Sequence, residues 1–420
     1  MLDLKRIRED ADGVRAALAR RGDGAAHVLD RVIELDARRR ALLPQLEGLR
    51  AEQNQANARI RGEGDAAKRA REIDAMRAVA ARAKELEREL GEVDLELQAA
   101  LAPLPNLPAA SAAPGPDDEL VREVGAVAQL DFAPRDHLDL AGAMIDMDRA
   151  ARLSGSRFAY LKGDLVMLEL ALVRWALEKL RARGFEPVIP PVLVRERALY
   201  GTGFLPDTEQ QIYSLPEDEL YLVGTSEVAL ASLHDGEILN GEALPLRYAG
   251  FSPCFRREAG AAGKDTRGIF RVHQFDKVEM FSFVAPEESE REHELILGVE
   301  EEILGELGLP YRVMNIAVTD LGSSAAKKYD CEAWLPSQGR YRELTSCSNT
   351  TDYQARRLNI RMRLGKGTVT PHTLNGTAVA VGRTIVALLE NGQREDGTVE
   401  LPAALLAYGA PERLAAAGSG

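Results

Sequence analysis

Two segments in the middle of the chain carry side chains that together could hold a nucleotide. They read LRYAGFSPCFRRE and IFRVHQFDKVEMFSFV, with the Gly-rich loop AGAAGKDTRG between them, and are predicted to be two long antiparallel strands. Because side chains two apart share a face of a strand, Arg256 and Glu258 point the same way. On the second strand one face carries Arg271, His273, Phe275 and Glu279.

Such a face offers what a nucleotide needs. A guanidinium can bind phosphate oxygens, an aromatic ring can stack on a base, and a carboxylate can accept from an exocyclic amine. The combination predicts a nucleotide site. The alternative is a charged solvent face crossed by one core aromatic residue.

Three other segments carry polar groups that could complete a site. GTSEVAL follows a predicted strand and opens a helix near Thr225. Helix capping by a hydroxyl is an adequate explanation for Thr225 or Ser226, and the preference for an acid in the first turn explains Glu227 almost as well as a binding role would. RELTSCSN places Glu343 and several hydroxyls on a short strand. LNGTAVAVGRTIVALLEN predicts a Gly turn, a possible Thr cap and an apolar helix that contains Arg383. A charged residue there needs a partner, either an acid or a bound phosphate.

The first hundred residues predict the element that stands apart from these segments. Apolar residues recur at alternating spacings of four and three in two stretches, and RGEGD supplies a turn between them. This pattern predicts an antiparallel coiled-coil hairpin over about residues 27–100, and a dimerisation coil is the alternative. Pro44 is expected to kink the first helix or to mark its restart. The seams are Val28, Val32, Leu35, Arg39, Leu42, Leu46, Leu49, Gln53, Ala56 and Ile60, then Met76, Val79, Ala83, Leu86, Leu90, Val93, Leu97 and Ala100.

Charge is unevenly distributed along the chain. The net charge is −13, which argues against a protein that coats nucleic acid through bulk charge, and DNA is not expected as a partner. Between Arg50 and Lys84, however, nine bases face five acids, so the hairpin tip is locally basic. This excess indicates a polyanion contact, and a solvated helix surface is the alternative.

Changes in composition along the chain, together with a Pro-rich stretch, predict the domain organisation. Residues 1–101 form a helical domain, the Pro- and Ala-rich residues 102–119 read as a linker, and residues 120–420 form a mixed domain with an antiparallel sheet. The fold class is therefore α+β. No apolar run is long enough to span a membrane, and the N-terminus lacks the apolar core of a signal peptide. Three cysteines without a CxxC spacing fit a reducing compartment, so a cytoplasmic location is expected.

Taken together, these segments resemble the seryl-tRNA synthetases, of bacterial type, among the class II aminoacyl-tRNA synthetases. PCFRREAGAAGKDTRGIFRVHQFDKVEMF looks like the second class II signature in its seryl form. LNGTAVAVGRTIVALLEN is similar to the third signature, and GFEPVIPPVLV resembles the first, with its proline at Pro191. The family also has an N-terminal helical hairpin followed by a Pro-containing linker, so the resemblance covers essentially the whole chain.

The resemblance implies roles for particular positions. Arg256, Glu343 and Arg383 would be catalytic, with Arg256 on the α-phosphate and Arg383 on the γ-phosphate of ATP. The serine-binding set would be Thr225, Ser226, Glu227, Arg256, Glu279, Asn375 and Thr377. The ATP-binding set would be Arg256, Arg257, Glu258, Val272, Phe275, Glu343, Leu344, Thr345, Ser346 and Arg383. Glu343 and Ser346 would hold Mg²⁺, whereas no zinc is expected because no Cys/His set suggests one.

The resemblance also implies a reaction and partners. Serine would attack the α-phosphorus of ATP to give seryl-adenylate and pyrophosphate, and the seryl group would pass to the 3′ end of tRNA(Ser), with tRNA(Sec) as a further candidate substrate. A homodimer would form through the first signature, with the hairpin of one subunit serving the other. The loop with Lys264 and Arg267 would contact ATP and the acceptor end. Two alternatives remain: a class II relative that loads another amino acid or a carrier protein, and a coiled-coil adaptor with an inactive catalytic domain.

Overall fold

The protein is described by a computed structural model that covers residues 1–22, 24–206, 211–259, 265 and 267–417. Within it the chain forms two compact units, Leu2–Pro105 and Asn106–Gly420. We call them the N-terminal unit and the catalytic unit. Among the described residues, no helix has both the length and the apolar composition that crossing a membrane requires.

In the described part of the N-terminal unit, all regular secondary structure is α-helix. Heptad spacing produces two long helices because it keeps one apolar stripe of each helix against its partner. At about 1.5 Å per residue each is roughly 55 Å long. The helices are α1 (Leu4–Glu9), α2 (Ala11–Ala19), α3 (Ala25–Gly62) and α4 (Ala66–Leu101).

The predicted hairpin is confirmed in α3 and α4. The seam buries Val32, Leu35, Leu42, Leu46 and Ala56 from α3 against Ala83, Leu86, Val93 and Leu97 from α4. Arg39, a seam position, is a charged exception and donates to Asp94 across the hairpin (2.6 Å). The turn lies at residues 63–65, where Asp65 caps α4 by accepting from the backbone of Ala67 (2.8 Å).

Pro44 neither ends nor restarts α3, since the helix runs through it. Proline removes one backbone donor, but the residues on both sides continue the same helix. The seam residues Leu42 and Leu46, which flank the proline, remain buried. Packing against α4 therefore outweighs the missing hydrogen bond.

The catalytic unit is built on an eight-stranded sheet in the order β1-β11-β12-β13-β16-β10-β9-β4. Every neighbouring pair is antiparallel except β4 and β9, which confirms the predicted fold class. The strands are β1 (Glu119–Val124), β2 (Ile145–Asp146), β3 (Tyr160–Leu161), β4 (Glu186–Val188), β5 (Leu193–Val194), β6 (Ser214–Leu215), β7 (Leu220–Leu222), β8 (Ile238–Leu239), β9 (Leu246–Phe255), β10 (Gln274–Val284), β11 (Tyr311–Asn315), β12 (Lys327–Leu335), β13 (Arg340–Thr351), β14 (Arg361–Leu364), β15 (Gly367–Val369), β16 (His372–Ala380), β17 (Val399–Glu400) and β18 (Arg413–Leu414).

Helices cover one face of this sheet. α7, α10 and α12 pack on its central strands and share a core with Val278 and Met280 of β10, both fully buried. The alternating residues Lys277 and Glu279 turn the other way, into a cleft. The helices are α5 (His137–Ala141), α6 (Met147–Ser154), α7 (Asp164–Ala182), α8 (Glu196–Thr202), α9 (Glu227–Ala231), α10 (Ser289–Glu306), α11 (Tyr353–Arg357) and α12 (Val381–Gly392).

The long strands are shorter at their loop ends than the sequence predicts. β9 stops at Phe255 and β10 starts at Gln274, so Arg256 and Glu258 lie beyond regular strand. Glu258 has a positive φ of 50°, which leaves the pleat that a strand would continue. The simple two-residue alternation therefore does not apply at this end.

The predicted turn at Gly376 is wrong, because β16 runs through it to Ala380. A side chain at Gly376 would meet Ile296 and Glu300 of α10, at 2.3 and 2.9 Å from its Cβ. The glycine is thus needed for close approach of a helix to the sheet rather than for a turn. α12 begins one residue after the strand ends, so Thr377 is a strand residue and not a cap.

The segment interpreted as a linker packs on the catalytic unit along part of its length. Asn106 donates from its amide to the backbone oxygens of Ser324 (2.9 Å) and Thr350 (2.8 Å). Ala109 donates to the carbonyl of Ala326 (2.8 Å). Leu107, Ala112 and Ala113 are buried.

Candidate active site

A cleft of about 400 Å³ opens on the face of the sheet opposite α7, α10 and α12, beside the short helix α9. Its walls come from β10, β13 and β16, from the start of α12, and from the segments on either side of the loop after β9. Thirteen of the residues that the resemblance assigns to serine or ATP line it. They are Thr225, Glu227, Arg256, Glu258, Val272, Phe275, Glu279, Glu343, Leu344, Ser346, Asn375, Thr377 and Arg383.

One end of the cleft carries the cations and the aromatic ring. Arg256 lies over the ring of Phe275, with its guanidinium carbon 5.3 Å from the ring centre, and donates to the carbonyl of Gly224 (3.1 Å). Glu258 accepts from Arg271 (2.6 Å). A guanidinium, a carboxylate and an aromatic face therefore meet within one wall, which is the set that a nucleotide requires.

The opposite wall is formed by β13 and α12. Arg383 donates to the carbonyl of Glu343 (3.0 Å) and lies 3.3 Å from its carboxylate. Its guanidinium carbon is 4.9 Å from the centre of the Phe270 ring. Burial alone would raise the pKa of Glu343, but the charges of Arg383, Lys328 and Arg256 outweigh it and lower that pKa. Glu343 is therefore ionised at neutral pH.

Glu343 and Ser346 line the same wall and could hold a magnesium ion. An ionised carboxylate and a hydroxyl are hard oxygen ligands of the kind Mg²⁺ prefers. The described part of the chain contains no group of three or more His, Cys, Asp or Glu side chains arranged for a metal. A magnesium ion here would therefore depend on ligands outside the protein, such as phosphate oxygens.

The deep end of the cleft contains buried carboxylates. Glu227 accepts from the amides of Gln354 (2.8 Å) and Asn375 (2.9 Å), and it is 9% exposed. Burial, together with the neighbouring charge of Glu279, raises the pKa of Glu227 to about 7. Thr225 donates to Glu279 (3.4 Å), which is also buried. This end can receive an ammonium group and a hydroxyl group.

Lys277 is a cleft residue that the sequence reasoning missed. Its ammonium group is buried, forms an ion pair with Glu279 and donates to the hydroxyl of Thr225 (2.8 Å). The signal was present, because position 277 lies midway between Phe275 and Glu279 on the same face of β10. A buried carboxylate needs such a partner. Phe270 and Lys328 also line the cleft without having been predicted.

Three of the predicted site residues have side chains outside the cleft lining. Ser226 is fully buried and its hydroxyl lies 3.5 Å from the carbonyl of Gly250. Thr345 points to the helix side of the sheet and donates to Glu300 (3.0 Å). Arg257 is exposed and lines a second, more polar cavity of about 670 Å³. The structure therefore leaves the roles predicted for these three side chains as predictions.

Two residues beside the Gly-rich loop that the sequence singled out, His273 and Arg267, form contacts with other parts of the protein. His273 does not line the cleft; its Nδ1–H donates to the carbonyl of Arg256 (2.8 Å), and its ring lies beside Phe158 and Tyr213. Arg267 forms ion pairs with Asp136 and Asp139, each with an N–O distance of 2.9 Å. Lys264 lies outside the described residues.

Comparison with protein families places two matches on the chain. Residues 1–108 match the family described as "Seryl-tRNA synthetase N-terminal domain". Residues 212–392 match "tRNA synthetase class II core domain (G, H, P, S and T)". The first match contains the hairpin and the second contains most of the cleft.

Individual proteins match over nearly the whole length. The serine–tRNA ligase of Thermobifida fusca is 50% identical over 412 residues, which cover 96% of each chain. The crystal structure of seryl-tRNA synthetase from Pyrococcus horikoshii complexed with ATP superposes with a TM-score of 0.92 at 43% identity, covering 99% of this chain and 100% of that one. The cytoplasmic serine–tRNA ligase of Naegleria fowleri, solved with AMP, gives a TM-score of 0.86 at 31% identity, with 98% of each chain covered.

Proposed function

The chain belongs to the seryl-tRNA synthetase family, and from this premise we propose how its cleft performs the reactions of a serine–tRNA ligase. The enzyme joins serine to tRNA at the expense of ATP. One observation supports the assignment of the cleft above all: a nucleotide-binding set and a set suited to a small hydroxy amino acid line the same cavity. Neither set alone would distinguish this function from others.

In the first step the serine carboxylate attacks the α-phosphorus of ATP, and pyrophosphate leaves. We assign Arg256 to the α-phosphate, where it stabilises the charge that builds up as the phosphorus is attacked. Phe275 stacks on the adenine, Glu258 accepts from its amine, and Arg383 binds the γ-phosphate. ATP would displace the Arg271–Glu258 and Arg383–Glu343 contacts of the free enzyme. No side chain needs to act as a nucleophile, because positioning and charge neutralisation suffice.

A magnesium ion would be held by Glu343 and Ser346 together with the phosphates. When bound, it would supply positive charge against the phosphate oxygens. The lowered pKa of Glu343 supports this, since the carboxylate stays ionised and available.

At the other end of the cleft, Glu279 and Thr377 receive the serine hydroxyl, with Asn375 alongside. Glu227 and Thr225 face the ammonium group. A site built to hydrogen-bond a hydroxyl rejects the analogue that lacks it, because buried polar groups would lose their partners. The near-complete burial of Glu279 and Lys277 supports this discrimination against alanine.

ATP–pyrophosphate exchange with serine, threonine, alanine and glycine tests the assignment. We expect serine to support exchange at least about a hundredfold faster, as kcat/KM, than the other three. Faster exchange with threonine, alanine or glycine would show that the pocket belongs to a relative with another substrate. No exchange with any of them, at saturating Mg²⁺, would favour an inactive adaptor.

The pH dependence of serine binding tests the role of Glu227. Its carboxyl has a pKa raised to about 7 by burial, yet the serine ammonium group requires the ionised form. Below that pH the carboxyl must first release a proton, so the KM for serine should rise by up to about tenfold per pH unit as pH falls. Above about pH 8 it should level off, and the KM for ATP should change little. Exchange kinetics between pH 5.5 and 8.5 measure both.

Glu227→Gln provides the matched comparison. Glutamine keeps the shape and the hydrogen bonds to neighbouring groups but cannot titrate, so the acid limb of the serine profile should disappear. If the limb persists unchanged in this variant, the titrating group lies elsewhere.

We assign the hairpin to the tRNA. In the described residues, Arg61, Lys68, Arg69 and Arg71 near its tip, and Lys84 halfway along α4, form no ion pair, so their charges are available to phosphates. Proteins commonly recognise RNA helices by backbone and shape. The substrate would be tRNA(Ser), and tRNA(Sec) carrying the same features is a further candidate.

We also propose that the protein works as a homodimer in the cytoplasm. Large apolar side chains remain exposed on α7 and in the segment that follows it: Val166 at 38%, Met167 at 47%, Leu170 at 56%, Ile189 at 82% and Leu193 at 42%. A patch of this kind supports a protein interface. The free thiols of the three cysteines support a reducing compartment.

Leu170→Asp tests the interface. A charge at the centre of an apolar interface must be desolvated without a partner, so the dimer should weaken by at least about a hundredfold. Sedimentation equilibrium should show the variant as a monomer at concentrations where the parent protein is a dimer. Leu364→Asp, at a similarly exposed leucine (55%) on β14, is the control and should leave the dimer intact. A monomeric parent protein would refute the proposal.

A further inference from the structure

A buried histidine outside the cleft connects the two walls between which the nucleotide would lie. His137, at the start of α5, is 4% exposed. Its Nε2 atom accepts a hydrogen bond from the backbone N–H of Ile269 (3.1 Å), and its Nδ1 atom lies 3.4 Å from the carboxylate of Glu390. Ile269 belongs to the segment that carries Phe270, Arg271 and Val272. Glu390 belongs to α12, the helix that carries Arg383.

These contacts determine the tautomer of the ring. Because a backbone N–H can only donate, Nε2 must be the unprotonated acceptor, and the proton must sit on Nδ1. Nδ1–H can then donate to the carboxylate of Glu390. The other oxygen of that carboxylate accepts from the backbone of Ser337 (3.1 Å), and Glu390 is fully buried. Each hydrogen bond in the series Ile269–His137–Glu390–Ser337 therefore has a defined donor and a defined acceptor.

The neighbouring backbone is shaped to admit the ring. Gly268 has a φ of +84°, and a Cβ atom there would lie 2.0 Å from Nε2 of His137. Glycine is required both for this backbone conformation and for the close approach. On the other side, a Cβ added at Gly382 of α12 would lie 3.6 Å from the carbonyl of Ile269, so the two walls approach each other closely at this point.

We propose that His137 is a positioning residue for ATP. By bridging Glu390 to Ile269, it fixes the separation between α12 with Arg383 and the segment with Phe270 and Val272. All four of Ile269, Phe270, Val272 and Arg383 line the cleft, and the Arg383 guanidinium lies over the Phe270 ring at 4.9 Å. The adenine and phosphates would meet both walls, whereas the serine end is built from β10, β16 and α9. This inference rests on the proposed placement of ATP.

The expected signature is a selective loss of ATP affinity. His137→Phe keeps the ring but removes both nitrogen atoms, which leaves the buried Ile269 N–H without its acceptor. We expect the KM for ATP in serine-dependent exchange to rise roughly tenfold, and the KM for serine to change by less than about twofold. His137→Gln can place its amide oxygen near the position of Nε2, so it should restore most of the ATP affinity.

Glu390→Gln tests the tautomer itself. Glutamine can keep its oxygen toward the Ser337 N–H, but its NH₂ group then faces Nδ1 and forces the proton onto Nε2, against the Ile269 donor. The ATP defect of His137→Phe should therefore reappear although the histidine is present. His234→Phe is the matched control, since His234 bonds to Tyr248 and Glu237 (both 2.8 Å) and does not line the cleft. It should leave both KM values unchanged.

The outcomes separate this inference from the proposed function. Equal rises in the KM for ATP and for serine, or a loss of thermal stability without any change in KM, would make His137 merely structural and overturn the inference. If His137→Phe does not fold, Glu390→Gln with a parental KM for ATP overturns it instead. A parent protein that shows no serine-dependent exchange would count against the proposed function, whatever the variants do.

Discussion

Replacing Arg256 by alanine should reduce serine-dependent ATP–pyrophosphate exchange by about 10²–10³-fold, the usual effect of losing one preorganised group that stabilises transition-state charge. The guanidinium lies within the cleft, over the Phe275 ring. Its one hydrogen bond to the protein that the structure shows is to the carbonyl of Gly224 (3.1 Å). The side chain is thus held loosely by the protein and is available to an anionic ligand.

The same geometry predicts a small effect of Arg256→Ala on stability. Arg256 is only partly buried and forms no ion pair in the part of the chain that the structure describes, so its removal leaves no buried charge behind. The melting temperature should fall by no more than a few degrees. Circular dichroism and thermal unfolding, measured beside exchange, distinguish a catalytic loss from a folding defect.

Two companion variants sharpen this comparison. Arg256→Lys keeps the charge but loses the fork that can bind two oxygens, so its activity should fall between those of the parent and Arg256→Ala. Arg195→Ala removes an exposed arginine of the second cavity and should leave exchange unchanged. Near-parental exchange in Arg256→Ala would remove Arg256 from the mechanism.

Much of the architecture could be predicted because it depends on periodic burial. The heptad spacing from Val32 to Leu46 and from Ala83 to Leu97 gives each helix one apolar stripe, and both stripes are buried when the two helices pack on each other. A short Gly-containing turn makes the two helices neighbours. The period of two along β10 places Val278 in the core and Glu279 in the cleft in the same way. Patterns of this kind are local, so they can be read without knowing the partner elements.

The errors concern residues whose role depends on a distant neighbour. Gly376 reads as a turn, but the glycine is there because Ile296 of α10 lies where its side chain would be. The ATP-binding role predicted for Thr345 is not one of these errors and stays a prediction, although its hydroxyl faces the helix side and donates to Glu300. Both contacts join residues far apart in the chain, and no local pattern records them.

Lys277 was missed for a different reason. It lies on the correct face at the correct spacing, but a single lysine in a strand gives no sign that it will be buried. Only the sheet, which brings Thr225 and Glu279 around it, makes that charge a part of the site. His137 is similar, since nothing in the residues around it indicates that a glycine 131 positions later leaves room for its ring.

Removing residues 35–93, with a short turn to join Glu34 to Asp94, should abolish tRNA charging and leave adenylate formation intact. All residues that line the cleft lie at or beyond Thr202, so their positions do not depend on the deleted segment. Exchange kinetics should remain within about twofold of the parent. Charging of tRNA(Ser) should fall by more than about a hundredfold as kcat/KM, because the phosphate contacts of the hairpin are lost.

The deletion has a structural justification within the hairpin. The cross-hairpin ion pairs Arg38–Glu89 and Arg50–Glu87 fall inside the removed segment, and Arg31–Glu96 lies outside it. Asp94, at the new junction, loses its partner Arg39 but is partly exposed, so solvent can replace that contact. The shortened α3 and α4 keep Leu29 and Val32 against Leu97 and Leu101, all buried. The N-terminal unit should therefore remain folded as a shorter helical pair.

A charge variant separates RNA contact from mere length. Lys68→Gln combined with Arg69→Gln and Arg71→Gln leaves the coiled coil in place, because these side chains are exposed and outside the seam. The KM for tRNA should rise, and its dependence on salt should become shallower by up to about two to three in the logarithmic slope. If the deletion variant still charges tRNA at the parental rate, or if the charge variant keeps the parental salt dependence, the tRNA must be held by other surfaces of the enzyme. The hairpin would then be structural only.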